Sequence, residues 1–312
     1  MNTLEQIVAT HRAEWAARSR AQQQLEIENN EAVAKLYGLE DEVPSYVPLE
    51  RVSLTNNSAF RWPNKTPEER DVLFTESAVV DLVSYAVGCM FGRYSLDRPG
   101  LILADQGATL QDYLEKVPDP RFVPDEDNVI PIVDGDWFED DIVGRFRQFL
   151  RVTFGDKNFE ENIGFVTESL GVKNLREYFI TKAGKSKFYD DHVQRYKKRP
   201  IYWLFSSPKG SFNALIYLHR YTPSTASTVL TYLREYVTKL ESSLQQAERT
   251  GEAKEADRLR KIVVELNNYE HDTLYPKASE NVVIDLDDGV KVNYPKLGGA
   301  LRKIAGLDSA DD

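Results

Sequence analysis

The chain has 312 residues, 41% hydrophobic and 29% charged, with a formal charge of −11; this is the profile of an ordinary globular protein of about two domains. The surplus of acid argues against a protein that coats nucleic acid over its whole surface. No window approaches the ~18 consecutive apolar residues of a membrane span, the first residues lack a signal-peptide core, and a single cysteine, Cys89, excludes an internal disulfide framework. A cytoplasmic location is expected. Cys89 lies in the apolar run SYAVGCMF and is read as a buried, inert thiol.

From the start, residues 3–37 read as one long polar helix ending at Gly38, a C′ glycine. Its apolar positions are sparse, so it is expected to lean on something beyond its own sequence. A Pro-, Ser- and Asn-rich loop follows over 39–65. Thr66-Pro67-Glu68-Glu69 then carries the signs of a helix start, with Thr as N-cap, Pro in the first turn and Glu closing a capping box. The helix over 68–91 should bury Val72, Leu73, Val79, Leu82, Val83 and Val87. Residues 92–136 read as loop, interrupted by prolines. Helical spacing returns over 137–154, with shorter helices at 160–170, 174–182 and 185–197.

Residues 199–221, RPIYWLFSSPKGSFNALIYLHRY, read as a strand, a tight turn and a second strand, the first buried on both faces. Beyond Thr222-Pro223, Val229, Leu233, Tyr236, Leu240 and Leu244 recur at three- and four-residue steps. After Gly251, Leu259, Ile262, Val263, Leu266 and Tyr269 form a matching stripe before Pro276. Two helices of ~25 residues, packed antiparallel, are predicted. The end, VVIDLDDGVKVNYPKLGG, reads as strand, Asp-Asp-Gly turn and strand, and the last residues as a frayed tail. The expected fold is therefore α+β and predominantly helical: bundle elements, a small β-hairpin or sheet, a long antiparallel helix pair and a C-terminal β-hairpin. The domains divide at 1–95, 96–280 and 281–312.

Catalytic patterns are absent. His11, His192, His219 and His271 lack metal-ligand spacing, so no metal is expected. Asp285, Asp287 and Asp288 suit a solvated turn better than a calcium loop. There is no nucleophile elbow, Walker loop or dinucleotide fingerprint. Charge distribution is more informative. Between 182 and 210 eight cations (Lys182, Lys185, Lys187, Arg195, Lys197, Lys198, Arg199 and Lys209) face only Asp190 and Asp191, a local +6 that leaves −17 for the remainder. Residues 112–141 hold eleven acids against Lys116 and Arg121. Lysine and arginine that neutralise phosphates supply most sequence-independent affinity for nucleic acid. Trp203 reads as core, whereas Arg199 at the strand start and Lys209 in the turn are better placed for contact. His219 and Arg220 join the candidates as phosphate contacts, His219 being equally readable as structural.

The stretch 199–221 with the following PSTASTVLTYLREYV, together with IENNEAVAKLYGLEDEVP, SYAVGCMFGRYSLDRPGL and IDLDDGVKVNYPKLG, resembles the C-terminal region of the PglX adenine-specific DNA methyltransferases of BREX phage defence, within the wider type IIG restriction–modification group. The resemblance runs from Glu26 to about Leu307. Such enzymes carry an S-adenosylmethionine-binding glycine loop and an Asn-Pro-Pro-Tyr motif that holds the flipped adenine; this sequence has no Pro-Pro pair, and Asn57-Ser58-Ala59-Phe60 is no substitute. The resemblance therefore implies a part lying downstream of the catalytic domain. S-adenosylmethionine is expected for the full enzyme and no cofactor for this chain. It further implies double-stranded DNA as ligand through the basic segment, with target recognition, and as partners a methylase domain and other BREX subunits rather than a membrane. A docking module for defence-complex subunits, using the acidic surplus and the helices of 223–276, is the alternative.

Overall fold

A computed structural model describes residues 2–307. In chain order the helices and strands are α1 (Leu4–Tyr37), α2 (Ser58–Arg61), α3 (Pro67–Met90), α4 (Leu110–Lys116), β1 (Ile130–Pro131), α5 (Ile142–Phe154), α6 (Phe159–Ser169), α7 (Leu175–Phe179), α8 (Lys187–Arg195), β2 (Tyr202–Ser206), β3 (Asn213–Tyr217), α9 (Thr225–Thr250), α10 (Ala253–Tyr269), α11 (Tyr275–Glu280) and α12 (Val290–Leu297). The fold is α+β and predominantly helical, as the sequence predicts. The chain forms two compact units: one runs to Val83 and takes in Phe154–Gly171, and the other holds Ser84–Thr153 and the chain from Val172 onward.

In the first unit, Thr3 accepts a hydrogen bond from the Gln6 N–H at 3.3 Å while the Gln6 side chain accepts from the Thr3 N–H at 3.2 Å, a capping box that starts α1. Gly38, at φ 67°, stops it. The Leu4 N–H donates to the buried Asn162 Oδ1 in α6 at 2.7 Å. Loop 39–48 folds back along the helix, accepting from Gln23 at Val47 O (2.8 Å) and from Asn30 at Ser45 O (3.2 Å). The sparse apolar pattern leaves Leu25, Leu36 and Tyr37 at 60%, 78% and 70% exposure.

The capping box at Thr66 is present, with Thr66 Oγ1 accepting from the Glu69 N–H and Glu69 Oε2 accepting from the Thr66 N–H. By length and composition α3 is apolar enough to cross a membrane. Its Val79, Val83, Val87 and Met90 are nevertheless fully buried within the protein, the environment of a core helix. The expected stripe is out by one place near the start: Val72 faces solvent and Phe74 is buried instead.

The second unit is built on a three-stranded antiparallel sheet in the order β1-β3-β2, with Trp203 opposite Ile216 and Leu204 opposite Leu215. Every residue of β2 and β3 is buried, so the run reads apolar on both faces. β1, in a stretch expected to be loop, occupies the edge, where Pro131 gives up no needed ladder donor. Asn128 extends the pairing through its side chain, accepting from the Tyr217 N–H at 3.1 Å and donating to Tyr217 O at 3.0 Å. α4 is a second element within the expected loop, capped by Thr109 and Asp112.

α9 and α10 form the predicted antiparallel pair, turning at Gly251 (φ 75°). Val229, Leu233, Tyr236 and Leu240 are buried against the matching α10 stripe of Leu259, Val263, Leu266 and Tyr269. Pro276 does not end the second helix. A π-turn over Glu270–Leu274 lies just before the proline, the second residue of α11, the kind of bulge that lets a helix run on past a residue without an N–H.

The C-terminal hairpin expected over 281–312 does not form. Asp285 accepts from the Asp287 N–H and caps a short 3-10 turn, Leu286–Asp288, and the chain then enters α12. The apolar residues of VKVNYPKL fall on a helical face, burying Tyr294 and Leu297 while Val292 is exposed. That spacing matches a 3.6-residue period, and Asp-Asp-Gly serves as a helix entry instead of a hairpin turn. Of the frayed tail expected over 307–312, Leu307 is instead buried, its N–H donating to Ile304 O at 2.9 Å, and residues 308–312 lie outside the described residues.

Candidate nucleic-acid interface

The hairpin sorts the predicted cations into two groups. Lys209 lies in the turn between β2 and β3, whereas Lys197, Lys198 and Arg199 precede the first strand at the opposite end; five residues of strand separate them by roughly 17 Å. All eight cations of the segment from Lys182 to Lys209 are exposed.

The turn end is held by Glu265 of α10. Its Oε1 accepts from Ser207 Oγ at 2.6 Å and from the Lys209 N–H at 2.8 Å, and its Oε2 accepts from Ser211 Oγ at 2.5 Å. One buried carboxylate thereby fixes the whole turn, with charge-assisted bonds. Gly184 crosses Gly210 so closely that a Cβ on Gly184 would stand 2.0 Å from Lys209 O. The loop bearing Lys182 and Lys185 is thus set against the turn. Lys182 and Lys209 line a cavity of about 470 Å³ with Arg258 and Lys261, and Asp134, Glu255 and Glu265 share it. Charge is almost balanced there.

At the other end, α8 starts on Ser186, which accepts from the Tyr189 N–H, and buries Phe188, Tyr189 and His192. His192 Nε2 accepts the Tyr202 N–H at 3.2 Å, tying the helix to the start of β2. Burial, aided by Arg195 and Arg93, drives its pKa down to about 3, so the ring is neutral. The helix then ends on two consecutive residues in the left-handed region, Lys197 (φ 51°) and Lys198 (φ 61°), closed by Lys198 N–H to Val193 O at 2.8 Å. Such a cap ordinarily uses glycine. Lys197 and Lys198 line a groove of about 490 Å³ with Arg302 and Lys303, over a floor that includes Val193, Ile304 and Ala305. Among the described residues, Asp190 is the sole carboxylate on it.

His219 and Arg220 do not belong to this surface. Arg220 is 6% exposed and donates to Asp125 O at 2.8 Å and Glu126 O at 2.9 Å; its guanidinium completes the loop before β1 and has no face for a phosphate. The His219 ring stacks on Tyr217 at 4.8 Å, and burial with the nearby Arg93 lowers its pKa. Adjacency in sequence to a strand end placed both among the candidates, but in the 3-10 turn Leu218–Arg220 the arginine is buried and the histidine half-buried. Arg302, Lys303, Arg258 and Lys261 are cations that sequence proximity did not bring out, because they join the surface from other elements. Trp203 is fully buried against Tyr294, as core.

A separate groove, of about 1170 Å³, lies between residues 127–140 and the first half of α9. Asp127, Glu139, Asp140 and Glu235 line it with Trp137 and Phe138. Lys239, its one cation among the described residues, sits 4.5 Å over the Phe138 ring, pairs with Glu235 at 2.7 Å and donates to Trp137 O. Part of the acidic segment of the sequence thus gathers in this groove. Among the described residues, no group of three His, Cys, Asp or Glu is set to hold a metal ion, and Cys89, 1% exposed, has its thiol pushed up to about 12 by burial.

A helical α+β framework with two groups of exposed cations is what remains, and its homologues are adenine-specific methyltransferases, of which it corresponds to a part. The chain is 36% identical over 288 residues to the adenine-specific methyltransferase BrxX of Escherichia coli O9:H4 (strain HS), covering 83% of this chain and 23% of BrxX. It is 33% identical over 325 residues to the adenine-specific methyltransferase PglX of Lacticaseibacillus casei (strain Zhang), covering 95% of this chain and 25% of PglX. The chain therefore spans about a quarter of the length of these curated relatives. No family model matches it.

Proposed function

We propose that this chain is the DNA-gripping and target-recognition part of an adenine-specific DNA methyltransferase of bacterial phage defence, with the methyl-transfer chemistry carried outside it. The observation that carries this reading is the run of exposed cations between Lys182 and Lys209 on a chain of net charge −11, which gathers phosphate affinity in one segment of the chain. The likeness to two adenine-specific methyltransferases supports the substrate class. The exposed Leu25, Leu36 and Tyr37 of α1 suit a helix that packs on a neighbouring methylase domain. The test is binding of duplex DNA by this chain and by a variant with Lys185, Lys197, Lys198 and Arg199 changed to Glu. Strong, salt-sensitive binding by the parent and none by the variant is expected. Equal binding by both would move the DNA face elsewhere.

A second reading, docking to other subunits of a defence complex, is favoured by the acidic groove alongside α9. Capture of such a subunit that resists high salt and retains no DNA would support it.

A further inference from the structure

The two cation groups are not equivalent, and the difference points to where a nucleic-acid strand is held. The groove at the C-terminal end of α8 sets Lys197, Lys198, Arg302 and Lys303 against Asp190. The cavity at the hairpin turn instead balances its cations with Asp134, Glu255 and Glu265. Arg302 is built in. Its backbone N–H donates to Leu204 O at 2.8 Å, continuing past the Leu301–Phe205 bridge beside β2. Its Nη1 donates to Gly184 O at 3.2 Å and its Nη2 stands 3.6 Å from Asp190. The facing lysines sit on two successive left-handed residues that are not glycine, a strained arrangement of the kind found at functional sites. Between the two walls the floor is apolar, with Val193 and Ile304. Four cations above an apolar strip match a phosphodiester with its sugar. They match a free divalent anion less well, since that has nothing to lay on the floor.

Resting on the DNA-binding reading above, we infer that this groove is a backbone clamp for one strand, holding a phosphodiester between Lys197–Lys198 and Arg302–Lys303 with the sugar against Val193 and Ile304. The clamp makes residues 302 and 303, about a hundred positions downstream of the basic segment, part of the nucleic-acid site. It is a positioning contact and carries no sequence information.

The experiment measures the Kd of a short fluorescent duplex against salt concentration, for the intact chain, for K303Q, for R302Q/K303Q and for K182Q/K209Q. Removing one phosphate-neutralising cation should lower the slope of log K against log salt by about 0.9. The expected result is a slope reduced by about 1 in K303Q and about 2 in R302Q/K303Q, with a smaller change in K182Q/K209Q. K303Q guards against misfolding, since Lys303 is not the residue anchoring the loop to Gly184. Unchanged slopes in both Arg302 and Lys303 variants, with K182Q/K209Q impaired, would overturn the clamp and leave the DNA-binding reading standing. An intact chain that fails to bind the duplex at low salt would overturn both.

Discussion

Replacing Glu265 with alanine tests how the basic hairpin turn is held. The carboxylate accepts three hydrogen bonds from the turn over residues 207–211 and is 8% exposed. Bonds to a charged acceptor contribute about 1.5–3 kcal/mol each, but they are not additive. Removing the carboxylate also relieves the cost of burying it, and the exposed Lys209 backbone regains water. Only Ser207 Oγ, itself buried, loses a partner it cannot replace, although it still accepts from the Phe212 N–H at 3.1 Å. A net destabilisation of about 3 kcal/mol follows, which lowers Tm by roughly 6–12 °C for a unit of this size. Glu265→Gln keeps an acceptor for Ser207 and Lys209, so about 1 kcal/mol is expected for it. Urea unfolding followed by near-ultraviolet circular dichroism measures both. If the two variants lay within about 0.5 kcal/mol of the parent, the carboxylate would not be what anchors the turn.

Gly184→Ala should destabilise by ~2 kcal/mol or more, because its Cβ meets the Lys209 carbonyl at 2.0 Å and its φ is 73°; thermal melting reads this. Cys89 should resist a thiol reagent in the folded protein and react only on unfolding, given its burial and a pKa of about 12, as a timed colorimetric assay would show. Two buried groups set opposite pH dependences. Burial, then Asp127, raises the Asp125 pKa from 3.8 to about 7, so its contribution is full below 3.8 and is lost as pH rises through 7; Asp125→Asn should flatten that fall, of about 4 kcal/mol. His192 is lowered from 6.5 to about 3. Its contribution is therefore present above 6.5 and lost as pH falls toward 3, and His192→Phe should flatten the acid limb of a stability–pH curve.

What could be read from residues alone followed periodicity and local caps. The capping box at Thr66, the glycine stop at Gly38 and the stripes of α9 and α10 are short-range signals, and each stands where its spacing puts it. The buried hairpin was legible for the same reason. The failures lie where tertiary packing decides between equal local options. VKVN alternates like a strand over four residues but sits on a helix because Tyr294 and Leu297 must reach the core. Ile130–Pro131 becomes a strand only because β3 offers an unpaired edge. The groove beside α8 draws on two parts of the chain: Lys197 and Lys198 belong to the basic run, while Arg302 and Lys303 arrive there through the bridge of Leu301 to β2, a contact that no local pattern announces. Arg220 failed in the opposite way, being basic, adjacent and turned inward onto the carbonyls of 125 and 126.

The sheet has a further consequence for how the chain can be cut. Its two-strand centre, YWLFS against NALIY, is buried throughout and is the type of segment that pairs with copies of itself when an edge is bare. Ile130–Pro131 covers the outer side of β3 and Leu301 bridges the outer side of β2. These two covers come from positions some 170 residues apart, so neither boundary can be trimmed inward without baring an adhesive strand. A fragment stopped at the end of the α9–α10 pair would keep the hairpin and its cations yet self-associate, whereas one carried through Leu301 would keep that edge closed.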